Sequence, residues 1–297
     1  MTTLTPTECY LSNLAPSGRR AVKSVLNAAI KILSAGDGLE TCQIHALGYD
    51  QLSFLRQVLV EQDKSARTIH LTFQAIRAVT KTALLMGQVE QHALDKFSAL
   101  KLPHIEPSTK GKALSMSELK HCLTIQNCSA REVRNIALIA TMSGAGLRRS
   151  EIHRLRLSDL SLQDAQLVIQ KGKGNRTRTQ YLPLWVVSHL SDWVSLRGNK
   201  SGFLFCKQIN SQPLIQKPLS VASIYDIVTT RAIQTLGKKI TPHDLRRTYI
   251  TSLLDNGVDI STVSKLAGHK SITTTQIYDK RGIESLKKAV NTLSHDV

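Results

Sequence analysis

Residues 241–281 concentrate side chains that suit chemistry on a phosphate group. The stretch reads TPHDLRRTYITSLLDNGVDISTVSKLAGHKSITTTQIYDKR, and its polar segments carry two histidines, an arginine pair and a tyrosine near the end: His243, His269, Arg246, Arg247 and Tyr278. Pro242 favours the first position of a helix, and residues three apart then lie on one helix face. His243 and Arg246 could therefore point at one anion. Taken singly, each of these motifs is more typical of a solvated helix face or of a packed aromatic ring.

The order and spacing of these motifs match a known signature. HDLRRT, LAGHKS and TTTQIYDKR follow one another, with three residues from His243 to Arg246 and nine from His269 to Tyr278. Together they resemble the C-terminal signature of the tyrosine recombinases, the family of phage integrases and Xer-type chromosome-resolution enzymes. The resemblance implies that these four residues are catalytic and that Tyr278 is the nucleophile.

A second arginine pair lies upstream, in GAGLRRSEIHRLRLSDL, residues 144–160. In the family, the catalytic arginine directly follows Gly-Leu and precedes x-Ser-Glu, which assigns that role to Arg148. Consecutive helix residues point about 100° apart, so only one arginine of the pair can face a given phosphate. Arg149, like the neighbouring Arg154 and Arg156, is interpreted as a contact to the DNA backbone or as surface charge.

A glycine-rich turn separates two short β-type segments. Residues 166–170 and 177–182 are β-branched or alternating, and they flank KGKGNR at residues 171–176. This pattern predicts a β-hairpin, although KGKG alone is more typical of a surface turn. The resemblance implies a catalytic lysine at the tip, which the Gly-Lys-Gly-Asn core assigns to Lys173, with Lys171 as the alternative.

The net charge points to a polyanionic partner. The 297 residues carry 39 Lys and Arg against 22 Asp and Glu, a formal charge of +17, and the pI is near 9.9. Residues 1–105 have 11 basic against 8 acidic residues and residues 106–297 have 28 against 14, so the excess accompanies the phosphate-directed motifs. A ribosome-associated or membrane-surface protein could share this balance, but its basic residues tend to form runs, whereas these are interspersed among apolar positions. Double-stranded DNA therefore explains the charge distribution more simply than a ribosome or a membrane surface does.

The spacing of the cysteines and the shortness of the apolar runs argue against several other classes of protein. The five cysteines show no Cys-x-x-Cys pair and no histidine cluster at metal-ligand spacing, so neither a zinc site nor a disulfide framework is indicated. No secretory leader opens the sequence, and no apolar run approaches the roughly 18 residues of a membrane span. We expect no membrane partner and a cytoplasmic, nucleoid-associated protein encoded by a prokaryote or a phage.

Helical periodicity dominates the chain, and the expected fold class is mostly α with a small β-hairpin or sheet (α+β). Residues 1–102 are predicted to be an N-terminal helical DNA-binding (core-binding) domain with a short polar leader and helices over 17–33, 49–61, 65–86 and 91–98. Residues 103–112 are predicted to be a linker, because two prolines, a glycine and lysines interrupt any periodicity. Residues 113–297 form the expected catalytic domain, with helices over 115–125, 131–143, 150–155, 185–196, 221–236, 242–255 and 259–266, and a buried turn or short strand at 203–205.

A last amphipathic helix is predicted over residues 282–293, with Ile283, Leu286, Val290 and Leu293 on one stripe. Such a helix is usually docked on its own domain. The resemblance implies instead an exchange helix that docks into a neighbouring protomer and holds a tetramer together in the synaptic complex. The resemblance also implies that the N-terminal helical domain grips one side of the DNA, so the candidate DNA contacts are basic side chains there and beside the catalytic arginines: Arg67, His70, Arg77, Lys81, Arg149 and Arg247.

The resemblance implies a site-specific recombinase that cuts and rejoins DNA through a 3′-phosphotyrosine, for integration, excision or resolution. Arg148 and Arg246 would clamp the pentacoordinate phosphate, and Lys173 would protonate the departing 5′-oxygen. The histidines would assist proton transfer and hydrogen-bond the phosphate. Neither ATP, magnesium nor another cofactor is expected, because the intermediate conserves the bond energy. Two rival interpretations remain: a type IB topoisomerase, which relaxes one duplex, and a basic repressor or architectural protein with inert site residues.

Overall fold

Apolar residues at helical spacing fold the N-terminal third into packed helices. The computed structural model describes residues 4–33, 38, 42–105, 113–127, 129–170, 177–209, 212–269, 271–279 and 290. Residues 1–108 form one compact unit with the helices α1 (Pro6–Ser12), α2 (Pro16–Leu33), α3 (Tyr49–Glu61), α4 (Ala66–Leu85) and α5 (Lys96–Ala99), and with 3-10 turns at Ile44–Ala46 and Gln91–Leu94. Within the described residues, no helix is both long and apolar enough to cross a membrane.

The core of this unit lies between α2, α3 and α4. Leu26, Leu52, Leu55 and Ile76 are fully buried there, beside Phe73. The one helix predicted over 91–98 is divided, since a 3-10 turn ends at Leu94 before α5 begins.

Helix α1 corrects the prediction of a polar leader before residue 17. Thr5 accepts a hydrogen bond from the backbone of Glu8 at 3.2 Å, and the Glu8 carboxylate accepts one from the backbone of Thr5 at 2.8 Å. This reciprocal capping box satisfies two amide groups that a helix start leaves unpaired. A seven-residue helix thus forms where composition alone suggested an irregular segment.

Residues 109–297 form the second compact unit. Its helices, as far as the structure describes them, are α6 (Met116–Leu123), α7 (Ala130–Ala145), α8 (Arg149–Arg154), α9 (Leu184–Arg197), α10 (Val221–Leu236), α11 (Pro242–Asp255), α12 (Ile260–Ala267) and α13 (Thr273–Gln276). A 3-10 turn covers Leu157–Asp159. The mostly helical class with small sheets is confirmed.

Two small antiparallel sheets accompany these helices. β1 (Leu160–Ser161), β2 (Gln166–Ile169) and β3 (Arg178–Tyr181) pair in that order, and Ile169 lies opposite Arg178 at the base of the predicted hairpin. The turn at 171–176 lies outside the described residues. β4 (Cys206–Ile209) and β5 (Gln212–Pro218) form a second hairpin that the sequence analysis did not predict.

Helix α7 is the centre of the second unit and packs against α9 and α11. It is followed by Gly146, whose φ of +63° lies in the left-handed region that L-residues with a side chain rarely adopt. A Cβ there would lie 2.3 Å from Cδ1 of Tyr249. Only glycine therefore allows α7 to stop against α11 and to turn the chain directly into Arg148.

Candidate active site

Arg246 lies one turn into α11 and is almost completely buried, with 3% of its surface exposed. Its Nη1 donates to the carbonyl of Gly146 at 2.6 Å, and its Nη2 donates to the carbonyl of Ala267 at 2.6 Å. These bonds join the end of α7 to the end of α12. Burial, assisted by the nearby charge of Arg148, lowers the pKa of Arg246 to about 10, so the guanidinium remains charged at neutral pH.

Arg148 approaches the same place from the start of α8. It is the extended residue before that helix, and its Nη2 donates to the carbonyl of Gly268 at 3.2 Å. The two arginines therefore bind consecutive carbonyls, those of Ala267 and Gly268. Because 41% of the Arg148 side chain is exposed, its remaining N–H groups can reach an incoming anion. Arg149 is exposed at the first position of α8.

Glu151 holds Arg148 in place and also binds a third arginine. Its carboxylate accepts hydrogen bonds from the backbone N–H of Arg148 at 2.9 Å and from Nη1 of Arg148 at 3.2 Å. Arg178 on β3 adds a bidentate pair at 2.9 and 3.1 Å. Burial raises the pKa of Glu151, but the hydrogen bonds and charges of the two arginines outweigh it and hold the pKa below its usual value.

Arg178 is a functional candidate that the sequence analysis missed. The sequence contains only an indirect signal for Arg178. Glu151 served only to fix the position of Arg148 in the motif, although a carboxylate beside one arginine can also pair with a second arginine. The strand position of Arg178 was predicted, but its partner lies 27 residues earlier in the chain.

Tyr278 and His243 meet beside these cations. Tyr278 is 7% exposed, and its hydroxyl lies 3.3 Å from Nε2 of His243. The guanidinium carbon of Arg247 lies 5.2 Å from the centroid of the Tyr278 ring, within the range of a cation–π contact. Desolvation, followed by the charge of Arg247, lowers the pKa of His243, so its neutral form is favoured.

His269 also lies beside the tyrosine. The two rings are nearly parallel, with an interplanar angle of 18° and centroids 6.3 Å apart. Desolvation and the charges of Arg246 and Arg148 lower the pKa of His269 to about 4, which makes the imidazole neutral at ordinary pH. Its Nδ1 lies 2.7 Å from the hydroxyl of Thr275, a contact that the sequence analysis did not foresee.

Tyr249 is unsuited to act as the nucleophile. Its hydroxyl accepts a hydrogen bond from Nε2 of Gln180 on β3 at 2.7 Å, in the interior of the unit. Burial raises the pKa of Tyr249, which disfavours the phenolate. Its ring instead forms the wall that Gly146 packs against.

Several candidates lie elsewhere. Lys173, its alternative Lys171 and nearly all of the predicted helix over 282–293 lie outside the described residues. In the N-terminal unit, Arg67, Arg77 and Lys81 are exposed along α4. His70 lies on the same helix, but its Nε2 is hydrogen-bonded to the carbonyl of Pro103 at 2.9 Å, so it also anchors the segment that leads out of the unit.

The second unit therefore brings five of the six predicted catalytic residues to one place: Arg148, His243, Arg246, His269 and Tyr278. Two guanidinium groups fixed by carbonyls and by Glu151 provide an anion site that is largely organised before ligand binds. A tyrosine hydroxyl and two imidazoles with lowered pKa lie beside it. Such a site can bind a phosphodiester, supply an oxygen nucleophile and accept its proton.

Comparisons with known proteins agree with this geometry. The phage integrase family model matches residues 112–282. The tyrosine recombinase XerA of Thermococcus kodakarensis is 32% identical over 225 residues, covering 76% of this chain and 74% of that protein. XerA of Pyrococcus furiosus is 30% identical over 241 residues, covering 81% and 79%.

Solved structures share the fold. The Tn1549 transposon integrase in complex with transposon right end DNA superposes with a TM-score of 0.72 at 17% identity, over 98% of this chain and all of that one. A lambda integrase tetramer bound to a Holliday junction gives 0.68 at 15% identity, over 95% of this chain and 79% of that one.

Proposed function

The chain belongs to the phage integrase family, and we propose that Tyr278 is the nucleophile with which it cuts DNA. The chain is a site-specific tyrosine recombinase that cuts and rejoins DNA through a tyrosine-linked intermediate. One observation carries the assignment of the nucleophile. The hydroxyl of Tyr278 is 3.3 Å from His243 beside the arginines of the site, whereas the hydroxyl of Tyr249 is bound to Gln180.

We infer the following division of labour. The Tyr278 oxygen attacks the scissile phosphorus, and its proton passes to Nε2 of His243, which is neutral because its pKa is lowered. Arg148 and Arg246 stabilise the charge of the pentacoordinate phosphate. Lys173 protonates the departing 5′-oxygen, leaving a 3′-phosphotyrosine and a free 5′-hydroxyl. Attack by the 5′-hydroxyl of a second strand then reverses the step and releases Tyr278.

DNA is the partner, and the chain acts as an oligomer. The charge of +17 supports the first point, and the integrase structures with DNA, which include dimers and a tetramer, support both. We propose that phosphate contacts come from α4 of the N-terminal unit and from basic residues beside the site: Arg67, His70, Arg77, Lys81, Arg149 and Arg247. We further propose that four protomers assemble in the synaptic complex, with 1–102 as the DNA-gripping domain, 103–112 as the linker and 113–297 as the catalytic domain.

The test of the function begins with a recombination site selected from a random DNA pool. The parent protein should form a covalent protein–DNA adduct on a nicked version of that site and should yield exchanged strands with a second copy. Tyr278→Phe should bind the site but form no adduct, and Tyr249→Phe, the matched control, should form the adduct at the parental level. An adduct with Tyr278→Phe would refute the nucleophile, and plasmid relaxation without strand exchange would refute the recombinase assignment.

The assembly proposal has a separate test. A chain truncated after Arg281 should bind one half-site but should fail to form a four-subunit complex in sedimentation, because the apolar stripe around Leu286 and Val290 would be missing. Lys287→Ala, on the opposite face of that predicted helix, is the matched control. A normal tetrameric complex of the truncated chain would refute docking between protomers.

A further inference from the structure

Thr275 joins the proposed nucleophile to His269. Its carbonyl accepts the backbone N–H of Tyr278 at 2.9 Å, and its hydroxyl lies 2.7 Å from Nδ1 of His269. The residue is fully buried, with 0% of its surface exposed. One side chain therefore determines how the imidazole that stacks on Tyr278 is oriented.

The direction of this hydrogen bond follows from counting donors. Other buried helical threonines, such as Thr141 and Thr248, donate their hydroxyl proton to the carbonyl four residues earlier. Among the hydrogen bonds of the described residues, the hydroxyl of Thr275 has only His269 as a partner. If Nδ1 carried the proton and donated it, the buried hydroxyl proton would be left without an acceptor, which is costly. Donation from the hydroxyl to Nδ1 satisfies both groups.

The surroundings of the imidazole favour the neutral form that this bond requires. Protonation of the imidazole is disfavoured by the charged and titratable groups around it, which are Arg246 and His243 on α11, Arg148 at the start of α8 and Arg178 on β3. The ring of Tyr278 is stacked with the imidazole. In a neutral imidazole whose Nδ1 accepts a hydrogen bond, Nε2 carries the proton.

We propose that the Thr275 hydroxyl donates to Nδ1 of His269 and thereby holds the proton on Nε2, the nitrogen that must donate if His269 hydrogen-bonds the phosphate as the family resemblance implies. Thr275 is then a positioning residue for the reaction. The inference rests on the proposed function for its last step, but the hydrogen bond itself can be tested without DNA.

The first experiment is nitrogen-15 NMR of the histidine-labelled full chain in the absence of DNA, with the signal of His269 assigned by its loss in His269→Gln. The parent should show a protonated Nε2 and a hydrogen-bonded, unprotonated Nδ1 at neutral pH. A protonated Nδ1 in the parent would overturn the proposal. This arm does not depend on DNA cleavage, so it separates failure of the inference from failure of the proposed function.

The second experiment compares Thr275→Val, which keeps the shape and removes the hydroxyl, with Thr275→Ser, which keeps the hydroxyl. A donor to Nδ1 stabilises only the neutral imidazole, so Thr275→Val should raise the pKa of His269 by about one unit. An acceptor for an Nδ1 proton would stabilise the charged form more, and its removal would lower the pKa. The sign of the change therefore decides between the two arrangements.

Cleavage rates give the functional readout. Thr275→Val should cut a nicked site about tenfold more slowly, the loss expected for one hydrogen bond, with unchanged DNA affinity, and Thr275→Ser should stay near the parental rate. Parental cleavage by Thr275→Val, or equal loss in both variants, would overturn the proposal. If Thr275→Val fails to fold, the spectrum of the parent and the rate of Thr275→Ser still decide.

Discussion

Replacing Glu151 by glutamine should destabilise the second unit strongly, because its carboxylate pairs with two arginines inside the proposed site. It accepts four hydrogen bonds, two from Arg178 and two from Arg148. Glutamine keeps the shape, but it removes the charge and presents an NH₂ group to donors on one side. The bonds that reached that oxygen are then lost.

The size of the effect follows from this geometry. Each carboxylate oxygen of Glu151 accepts two of the four bonds, so two are lost, at about 1.5 kcal/mol each for bonds to charged groups. The side chain is only 11% exposed, and water can replace little of what is lost. We therefore expect Glu151→Gln to lower the free energy of unfolding by about 3 kcal/mol, the low end of the cost of breaking a buried ion pair.

Urea denaturation followed by tryptophan fluorescence measures this loss, because both tryptophans, Trp185 and Trp193, lie in the second unit. Glu118→Gln is the matched control. Glu118 occupies the same third position of a capping box, but its side chain is 31% exposed and it pairs with one cation, Lys238. That change should cost about 1 kcal/mol or less. Equal losses in the two variants would refute the reasoning.

The pH dependence gives a second check on Glu151. Its pKa in the folded protein is held below the usual value, so the folded state favours the charged form. The stabilisation is then complete above the unfolded pKa of about 4.3 and is lost as the pH falls through the folded pKa. The stability gap between the parent and Glu151→Gln should therefore close on acidification below about pH 4.3, and a gap that stays constant down to pH 3 would contradict a charge-based origin.

Three further outcomes follow from the same structure. Arg148→Ala should lower the single-turnover cleavage rate by about 100- to 1,000-fold, whereas the exposed Arg149 should tolerate alanine with less than tenfold loss; the reverse ranking would show that the register of the pair is wrong. His269 stays neutral down to about pH 4, so His269→Gln should slow cleavage without changing the shape of the pH–rate profile between pH 5 and 8, and a lost acid limb would contradict this. Arg77→Ala should reduce the slope of log affinity against log salt by about one, and Gln74→Ala, at the neighbouring exposed position of α4, should leave it unchanged; equal slopes would place the DNA elsewhere.

Helices were predictable from the sequence because their signals are local. The predicted bounds of α3 and α10 agree with Tyr49–Glu61 and Val221–Leu236, where apolar periodicity and end signals coincide. The helix predicted over 115–125 corresponds to α6, whose start carries a capping box of Ser115 and Glu118 that is visible in the sequence as Ser-x-x-Glu. Thr5 and Glu8 form the same pattern, so α1 was readable too and was missed because its helix is short.

The hairpin β4–β5 had no comparable signal. Its strands read CKQI and QPLIQKP, with prolines and without regular alternation, and their register shifts between Cys206 and Lys207. Pairing of this kind depends on contacts with residues that are distant in the sequence. Here the backbone N–H of Phe203 donates to the carbonyl of Ile215 at 2.7 Å, a contact between residues twelve apart that no local pattern contains.

The five described catalytic candidates were assigned from motifs that resemble the signature of the family, but the contacts that organise them are set by tertiary structure. Arg178 reaches Glu151 only because β3 pairs with β2 in one register, with Ile169 opposite Arg178 and Leu167 opposite Gln180. A slip by one residue would turn Arg178 and Gln180 to the exposed face and bring Thr179 inward. Through Arg178 and Glu151, strand β3 is therefore tied to Arg148, so the placement of Arg148 in the proposed phosphate clamp depends on one largely buried carboxylate.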